Sequence, residues 1–324
     1  MDIVFLLDYV DDLLYSMFSK NNSLLICSIP DFMHSKDGIR IINELKQLLD
    51  HLPFVCDYNN LQTEFLFKTG FYLKEINSQK LDFDSLNNSV NFLLFVNSCS
   101  STMNIAKSIG SFLTKYNFSF AIVSNSQTAG RGRDGRLWSS PPGNIHLTLC
   151  YPNINIPKLQ TSLKISNIVK KTLSSIFEHD KFNVKWPNDI YLNATKVGGV
   201  LIDIENDLVS IGIGINLVGE SPFKGINKTL DVLNCENRRV TIIKDLIKNI
   251  GDYLKFDIDN NTNVDVFFTK KEIICSFENN LINLKLVDVC QETMMPIGID
   301  TTGRKFRIIC NEWILKDNSI AHQI

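Results

Sequence analysis

Gly130-Arg131-Gly132-Arg133-Asp134-Gly135-Arg136-Leu137-Trp138 is the stretch on which the reading of this chain turns. Three glycines and three arginines fall within seven residues, and a tryptophan closes the run. Glycine permits positive φ and lets backbone N–H groups approach a ligand closely. Arginine adds a planar fork of permanent charge that suits phosphate and carboxylate. Such a loop can wrap an anion with main chain and side chains together, and Trp138 offers a flat face to an adenine. Composition alone leaves two blander alternatives of comparable weight: a flexible basic surface loop, or an arginine-glycine segment for nucleic acid. Position favours the site reading. The loop is single and lies between two apolar runs, 118–123 and 145–150, as a binding loop on a scaffold does. It lacks the Lys-Ser/Thr ending of a P-loop.

Three further motifs follow. Lys185-Trp186-Pro187-Asn188-Asp189 places a turn between two short apolar runs, so Asn188 and Asp189 stand at a strand end where small polar groups can face a ligand. An ordinary hairpin turn fits equally. Lys196-Val197-Gly198-Gly199-Val200-Leu201-Ile202 heads an apolar strand with a lysine and sets two glycines inside it. Glycine inside a strand marks the close approach of a ligand or of another backbone. Ile211-Gly212-Ile213-Gly214-Ile215-Asn216-Leu217 alternates glycine on one strand face, which leaves a shallow slot there. Tight strand–helix packing is the alternative.

Working outward, strands are expected at 92–96, 118–123, 145–150, 184–186, 190–192, 197–204 and 208–217. Helices are expected from the Ser100-Ser101-Thr102 caps to Leu113, over 163–177 and over 242–254. The close-set strands with short turns predict an α+β fold whose mixed sheet is largely antiparallel and packed with helices. Residues 279–324 read as a small β-barrel with strands at 281–289, 295–299, 306–310 and 312–315. Residues 1–88 hold an apolar run at 24–29 and helical spacing over 39–52, and an Asn/Ser-rich stretch at 77–91 reads as a linker. Three segments result: 1–88, a small appended domain or an extension packed on the next; 89–278, carrying the motifs; and 279–324.

Composition excludes several classes. At 324 residues with 44% hydrophobic and 21% charged side chains, the chain is globular. Residues 1–88 carry 13 acidic and 7 basic residues, and the remainder 22 and 26, so an anionic ligand is expected in the later part. The eight cysteines form no C-x-x-C pair and only five histidines accompany them, so no metal site is expected and the thiols read as reduced. Asp8, Asp11 and Asp12 break the apolar N-terminus, which makes it a poor signal or transit peptide. No apolar run reaches the length of a membrane span. A soluble protein of the cytoplasm is the default.

In this order and with these gaps, GRGRDGRLW, KWPND, KVGGVLI and GIGIN resemble the catalytic domain of biotin protein ligases. The resemblance reaches upstream to Ser101-Thr102-Met103 and Gln127, covers roughly residues 92–220, and extends loosely to Gly298-Ile299-Asp300. It implies a class II synthetase-like catalytic domain with an SH3-like C-terminal barrel. The implied activity is ATP-dependent formation of biotinyl-5'-AMP and transfer of biotin to a lysine of a biotin carboxyl carrier domain, acetyl-CoA carboxylase above all, by a monomer or homodimer. By family, Ser101 and Thr102 contact the biotin ureido ring, Met103 and Gln127 also lie against biotin, and Gly130, Arg131, Gly132 and Arg133 close over biotin and the adenylate. Lys196 reaches the biotin carboxylate and the α-phosphate, while Gly199, Gly212 and Gly214 line the biotin slot. Arg131, Arg133, Arg136, Trp138, Lys185, Asn188, Lys196 and Asn216 would hold ATP. Lys196, Arg133, Lys185 and Asp189 form the catalytic set, with Asp189 as orienter or base for the acceptor lysine. Met103 stands where bacterial members often have Asn, as in eukaryote-like members, and Asp134 departs from the basic residue or Gly often found there. Mg²⁺ is expected with ATP.

The physical chemistry agrees. A ureido ring has one carbonyl acceptor and two N–H donors, which short polar side chains can satisfy. A carboxylate attacking the α-phosphate brings two anions together, and lysine and arginine offset the repulsion. A lipoate-protein ligase shares the adenylate chemistry, but the complete GRGR loop and KWPND argue against it. A DNA-binding repressor needs a basic face, and residues 1–88 are acidic and lack a helix-turn-helix pattern. A catalytically dead biotin-binding module is disfavoured by intact Arg131, Arg133, Lys185 and Lys196.

Overall fold

The computed structural model describes residues 23–27, 40, 44, 71–74, 89–177, 181–218, 232–257, 264–269, 271–310, 317 and 319–324. The chain divides into two compact units: Met1–Asn155 with Val200–Asp257, and Ile156–Gly199 with Ile258–Ile324.

The first unit is built on a sheet whose strands run in the order β2-β1-β3-β4-β5-β9-β8. These are β1 (Ser23–Cys27), β2 (Phe71–Lys74), β3 (Phe92–Cys99), β4 (Phe120–Gln127), β5 (Ile145–Pro152), β8 (Thr195–Glu205, of which the part from Val200 belongs here) and β9 (Leu208–Ile215). β3 with β4 and β1 with β2 are parallel; β1 with β3, β4 with β5, and β5 with β9 are antiparallel. The mixed, largely antiparallel sheet is therefore as expected. The segment ahead of residue 89 contributes β1 and β2 to this same sheet, and its Glu44 carboxylate accepts from Lys115 Nζ at 2.9 Å and Tyr116 Oη at 2.7 Å.

Strand β5 is buried along its whole length, because both its faces are covered and both must be apolar or hydrogen-bonded. One face meets helices α1 (Thr102–Ser108) and α2 (Gly110–Tyr116), where Ile105, Ile109 and Phe112 pack on Leu94, Ile122 and Cys150. Phe92 stacks on Phe120 at 5.4 Å in the same cluster. Helix α4 (Val232–Asp252) also packs on β5. A single helix was expected from the Ser caps to Leu113, but the chain breaks it at Ile109, at φ −98° and ψ 3°. There Gly110 sits so close to Leu208 that a Cβ would lie 3.1 Å from its Cδ2.

The second unit contains helix α3 (Lys158–Ile176), strands β6 (Phe182–Lys185) and β7 (Asp189–Leu192), the first residues of β8, and a closed barrel. The barrel runs β10 (Glu272–Phe277), β11 (Asn280–Val289), β12 (Pro296–Ile299), β13 (Lys305–Ile309) and β14 (Ser319–Gln323). A five-stranded barrel thus stands where a small SH3-like one was expected, although it begins at Glu272, ahead of residue 279. The expected strand at 312–315 lies outside the described residues. Leu159, Leu163, Val184 and Trp186 share one buried cluster with Ile273, Leu284, Phe306 and Ile308. Among the described residues, no helix is long and apolar enough to cross a membrane.

Candidate functional site

A continuous chain of hydrogen bonds crosses the first unit. Thr148 Oγ1, fully buried on β5, donates to Thr102 Oγ1 at 2.8 Å. Thr102 Oγ1 and its backbone N–H both donate to Gln127 Oε1, at 3.1 and 2.8 Å. Gln127 Nε2 donates to Ser140 Oγ at 2.8 Å, and Ser140 Oγ donates to the Trp138 carbonyl at 3.2 Å. Each donor hands on to an acceptor, so the orientation of the Gln127 amide is fixed by its neighbours. Ser101, buried beside Thr102, caps α1 by accepting from Met103 N at 3.3 Å. The structure thus brings Ser101, Thr102 and Gln127 together.

Beside this chain lie the glycines of GIGIN, on the strand face where a slot was expected. Gly212 pairs with Thr148 and Gly214 with His146 across β5 and β9, so all four share one sheet face. A Cβ on Gly212 would lie 2.9 Å from Met103 Sδ, and one on Gly214 would lie 2.6 Å from Trp138 Nε1 and Cε2. The missing side chains are thus replaced by a thioether and an indole. Trp138, expected beside an adenine, rests here on Gly214 of β9. Asn216, just beyond β9, is buried.

The arginine loop is a hydrogen-bonded hairpin. Trp138 N donates to the Gly130 carbonyl at 2.8 Å, Gly132 N to the Arg136 carbonyl at 2.8 Å, and Arg136 N to the Arg133 carbonyl at 3.1 Å. At its tip Asp134 and Gly135 both have positive φ, 57° and 71°, the requirement of a type I′ turn, which favours Asp-Gly. Asp134 therefore does a conformational job that a basic residue would do at higher cost. At the foot of the hairpin Gly130 cannot be larger: a Cβ would stand 2.4 Å from the Trp138 carbonyl oxygen and 2.6 Å from Ser140 Oγ. The arginines meet protein oxygens. Arg131 reaches Asp203 Oδ2 at 3.9 Å and Asn104 Oδ1 at 3.5 Å, and Arg136 reaches Asp134 Oδ2 at 3.3 Å. Arg133 lies in the turn, partly exposed.

The remaining predicted residues belong to the second unit. Lys196 Nζ donates to Asp189 Oδ1 at 2.6 Å, and both side chains are half-buried or more. A Cβ on Gly199 would lie 3.6 Å from Asp189 Oδ1 and 3.8 Å from Lys196 Cε, so the glycine leaves room for this pair. The KWPND motif is a true hairpin: β6 and β7 pair with Lys185 opposite Asp189. Its Trp186 is a core residue whose Nε1 donates to the Met294 carbonyl at 3.0 Å, and the Trp186–Pro187 bond is cis. Lys185 Nζ lies over the Tyr191 ring at 5.6 Å, and Asn188 is buried.

Sequence reasoning missed Thr148, Ser140, His146, Asn104 and Asp203. It had no means of pairing residues 46 positions apart, as in Thr148–Thr102. The Asp-Gly dipeptide was a visible signal for the hairpin tip. His146 is held neutral, its pKa pushed down to about 4 by burial and further by the charge of Arg239. Arg239 is itself fully buried and donates to Asn125 Oδ1 at 3.0 Å.

Residues 95–216 match the family described as the Biotin/lipoate A/B protein ligase family. Biotin--protein ligase 2 of Arabidopsis thaliana is 31% identical over 226 residues, 65% of this chain and 59% of the relative. The human biotin--protein ligase is 28% identical over 239 residues, 65% of this chain and 31% of the relative. The chain thus spans less than two thirds of the length of either. A biotin protein ligase from Aquifex aeolicus, solved in complex with biotin and ATP, is 24% identical and aligns over 72% of this chain and 99% of its own, with a TM-score of 0.47. The matched segment holds the four motifs quoted above in order, and over this middle part the chain is similar to biotin protein ligases.

Proposed function

We propose that the chain activates biotin with ATP and passes the biotinyl group to a lysine of a biotin carboxyl carrier domain, such as that of acetyl-CoA carboxylase. One observation carries this reading. The chain from Thr148 through Thr102, Gln127 and Ser140 runs beside a slot that already holds a thioether and a flat ring, at the foot of an arginine hairpin. Polar groups for a ureido ring, an apolar slot for a sulfur-containing ring and tail, and cations for phosphate are what biotin and ATP require.

In the first step a biotin carboxylate oxygen attacks the α-phosphorus of ATP. The bond to the bridging oxygen breaks, pyrophosphate leaves, and biotinyl-5'-AMP forms. Ser101, Thr102 and Gln127 hold the ureido ring. Met103, Gly212 and Gly214 shape the slot, and Gly199 leaves room for the Lys196–Asp189 pair. Gly130, Arg131, Gly132 and Arg133 close over the adenylate, while Arg136, Trp138, Lys185, Asn188 and Asn216 hold the nucleotide. Lys196 offsets the repulsion between carboxylate and phosphate. Asp189 keeps its ammonium in place through the 2.6 Å contact. In the second step the neutral amine of the acceptor lysine attacks the acyl carbon. The bond to AMP breaks, an amide forms, and Asp189 takes the amine proton. Among the described residues no three His, Cys, Asp or Glu side chains converge to hold a metal, so Mg²⁺ would be held by the nucleotide's phosphate oxygens and water. The chemistry belongs to the segment 89–278, whose last residues supply the barrel's first strand β10, and the rest of the barrel lies in 279–324.

The test is incubation of the full chain with ATP, a carrier domain and labelled biotin or labelled lipoate. Label on the carrier from biotin alone supports the reading; label from lipoate alone transfers the site to the related chemistry.

A further inference from the structure

His146 is not among the residues that the reaction above uses, yet it lies in the floor of the slot. It is 1% exposed, sits on β5 opposite Gly214, and shares a sheet face with Thr148 and Gly212. The Trp138 indole covers Gly214 on that face. Its Nε2 is 3.2 Å from the Pro141 carbonyl oxygen. A carbonyl only accepts, so Nε2 carries the proton and Nδ1 of the neutral ring is a bare acceptor. Nδ1 is buried and meets no partner among the described residues. A buried acceptor without a donor is costly and rare in a native protein, and it calls for an explanation. The surrounding hydroxyls do not supply one: Thr148 Oγ1 donates to Thr102, and Ser140 Oγ donates to the Trp138 carbonyl.

We infer that His146 is a specificity-determining residue whose Nδ1 accepts a hydrogen bond from a ring N–H of the bound acid. The inference rests on the function proposed above and deepens it. A cyclic urea brings two N–H donors, and the Gln127 and Thr102 side chains offer partners to one side of it. A dithiolane ring, as in lipoate, brings none and leaves Nδ1 stranded. A site built to pair a buried acceptor discriminates against a ligand that lacks the donor. His146 thus adds a reason of physical chemistry for choosing a urea over a dithiolane.

The experiment measures binding of biotin, and of biotin methylated at one or the other ureido nitrogen, to the wild-type chain and to His146→Phe by calorimetry. The expected result is that His146→Phe weakens biotin by about 3- to 10-fold and leaves unchanged the affinity for one of the two methylated analogues. Equal loss for all three ligands, or no loss for biotin, overturns the inference while the proposed function stands. A wild-type chain that does not bind biotin at all overturns the proposed function itself, and this arm shows it directly. A second readout needs no variant. In the wild-type chain labelled with ¹⁵N-histidine, the resonance of the unprotonated His146 ring nitrogen shifts on adding biotin. It stays unmoved on adding the analogue methylated at the nitrogen that faces it. No shift with biotin overturns the inference even where His146→Phe fails to fold.

Discussion

Gly214→Ala separates the slot from the fold. The added methyl would lie 2.6 Å from Trp138 Nε1 and Cε2 and 2.8 Å from Cζ2, where ordinary contact begins at 3.4 Å. The indole must therefore retreat by roughly 1 Å, within the small shifts that cores tolerate on overpacking. It is a side chain at the edge of a loop, not backbone, so the cost to stability should stay at the low end of that range, about 1 kcal/mol. A ligand that takes the place of the indole has no such retreat, because the methyl stays in the slot. Biotin should then lose about 1–3 kcal/mol, or about 5- to 150-fold in Kd. Calorimetric titration reads the second effect and a thermal melt the first. In a Trp138→Ala background the stability cost of the methyl should vanish while the affinity loss persists. Unchanged biotin affinity in Gly214→Ala would refute the placement of the ligand against β9.

Other outcomes follow from the same contacts. Gly130→Ala drives a methyl to 2.4 Å from the Trp138 carbonyl, which as backbone cannot yield; it should cost about 1–3 kcal/mol in a denaturant titration and weaken biotin through the displaced Ser140–Gln127 contact. Lys196→Ala should cut adenylate formation by about 100-fold or more, read as biotin-dependent pyrophosphate release, with little change in melting temperature. Asp203→Asn should change stability by less than about 1 kcal/mol, since its contact with Arg131 is long and exposed. His146 gives a pH effect of known sign. Its folded pKa of about 4 lies below the unfolded 6.5, so only the unfolded chain takes up a proton between those values. Its contribution is complete above pH 6.5 and is lost on acidification toward pH 4, by roughly 3 kcal/mol. Denaturant titrations from pH 7 to 4.5 should show this slope in wild type and lack that component in His146→Phe.

Local backbone features of the candidate site were more legible in the sequence than its long-range contacts. Glycine and arginine at fixed spacing report a backbone need and a charge, and both are local properties. The hairpin at 130–138 and the glycines of β9 accordingly lie where their composition placed them. Asp134 looked like a departure because charge was read there, whereas its φ of 57° shows a turn requirement. The Ser140, Thr102 and Thr148 contacts were hidden because they join three elements separated in sequence, and nothing about a threonine in an apolar strand announces its partner. His146 was hidden for the same reason: in the run Ile145–Pro152 it reads as an interruption of a strand, and only the register against Gly214 places it in the floor. Strands β1 and β2 escaped as members of the main sheet because pairing with β3 is a long-range contact. Trp186, quoted for its motif, turned out to serve the core of the second unit, its indole N–H bound to the Met294 carbonyl.

The claim that biotin is adenylated at this site is tested most directly by isotope exchange. The full chain is incubated with ATP, Mg²⁺ and labelled pyrophosphate, with biotin or lipoate, in the absence of any carrier. Label entering ATP only when biotin is present is the result predicted. Exchange that requires lipoate instead, or no exchange with either acid, contradicts the account.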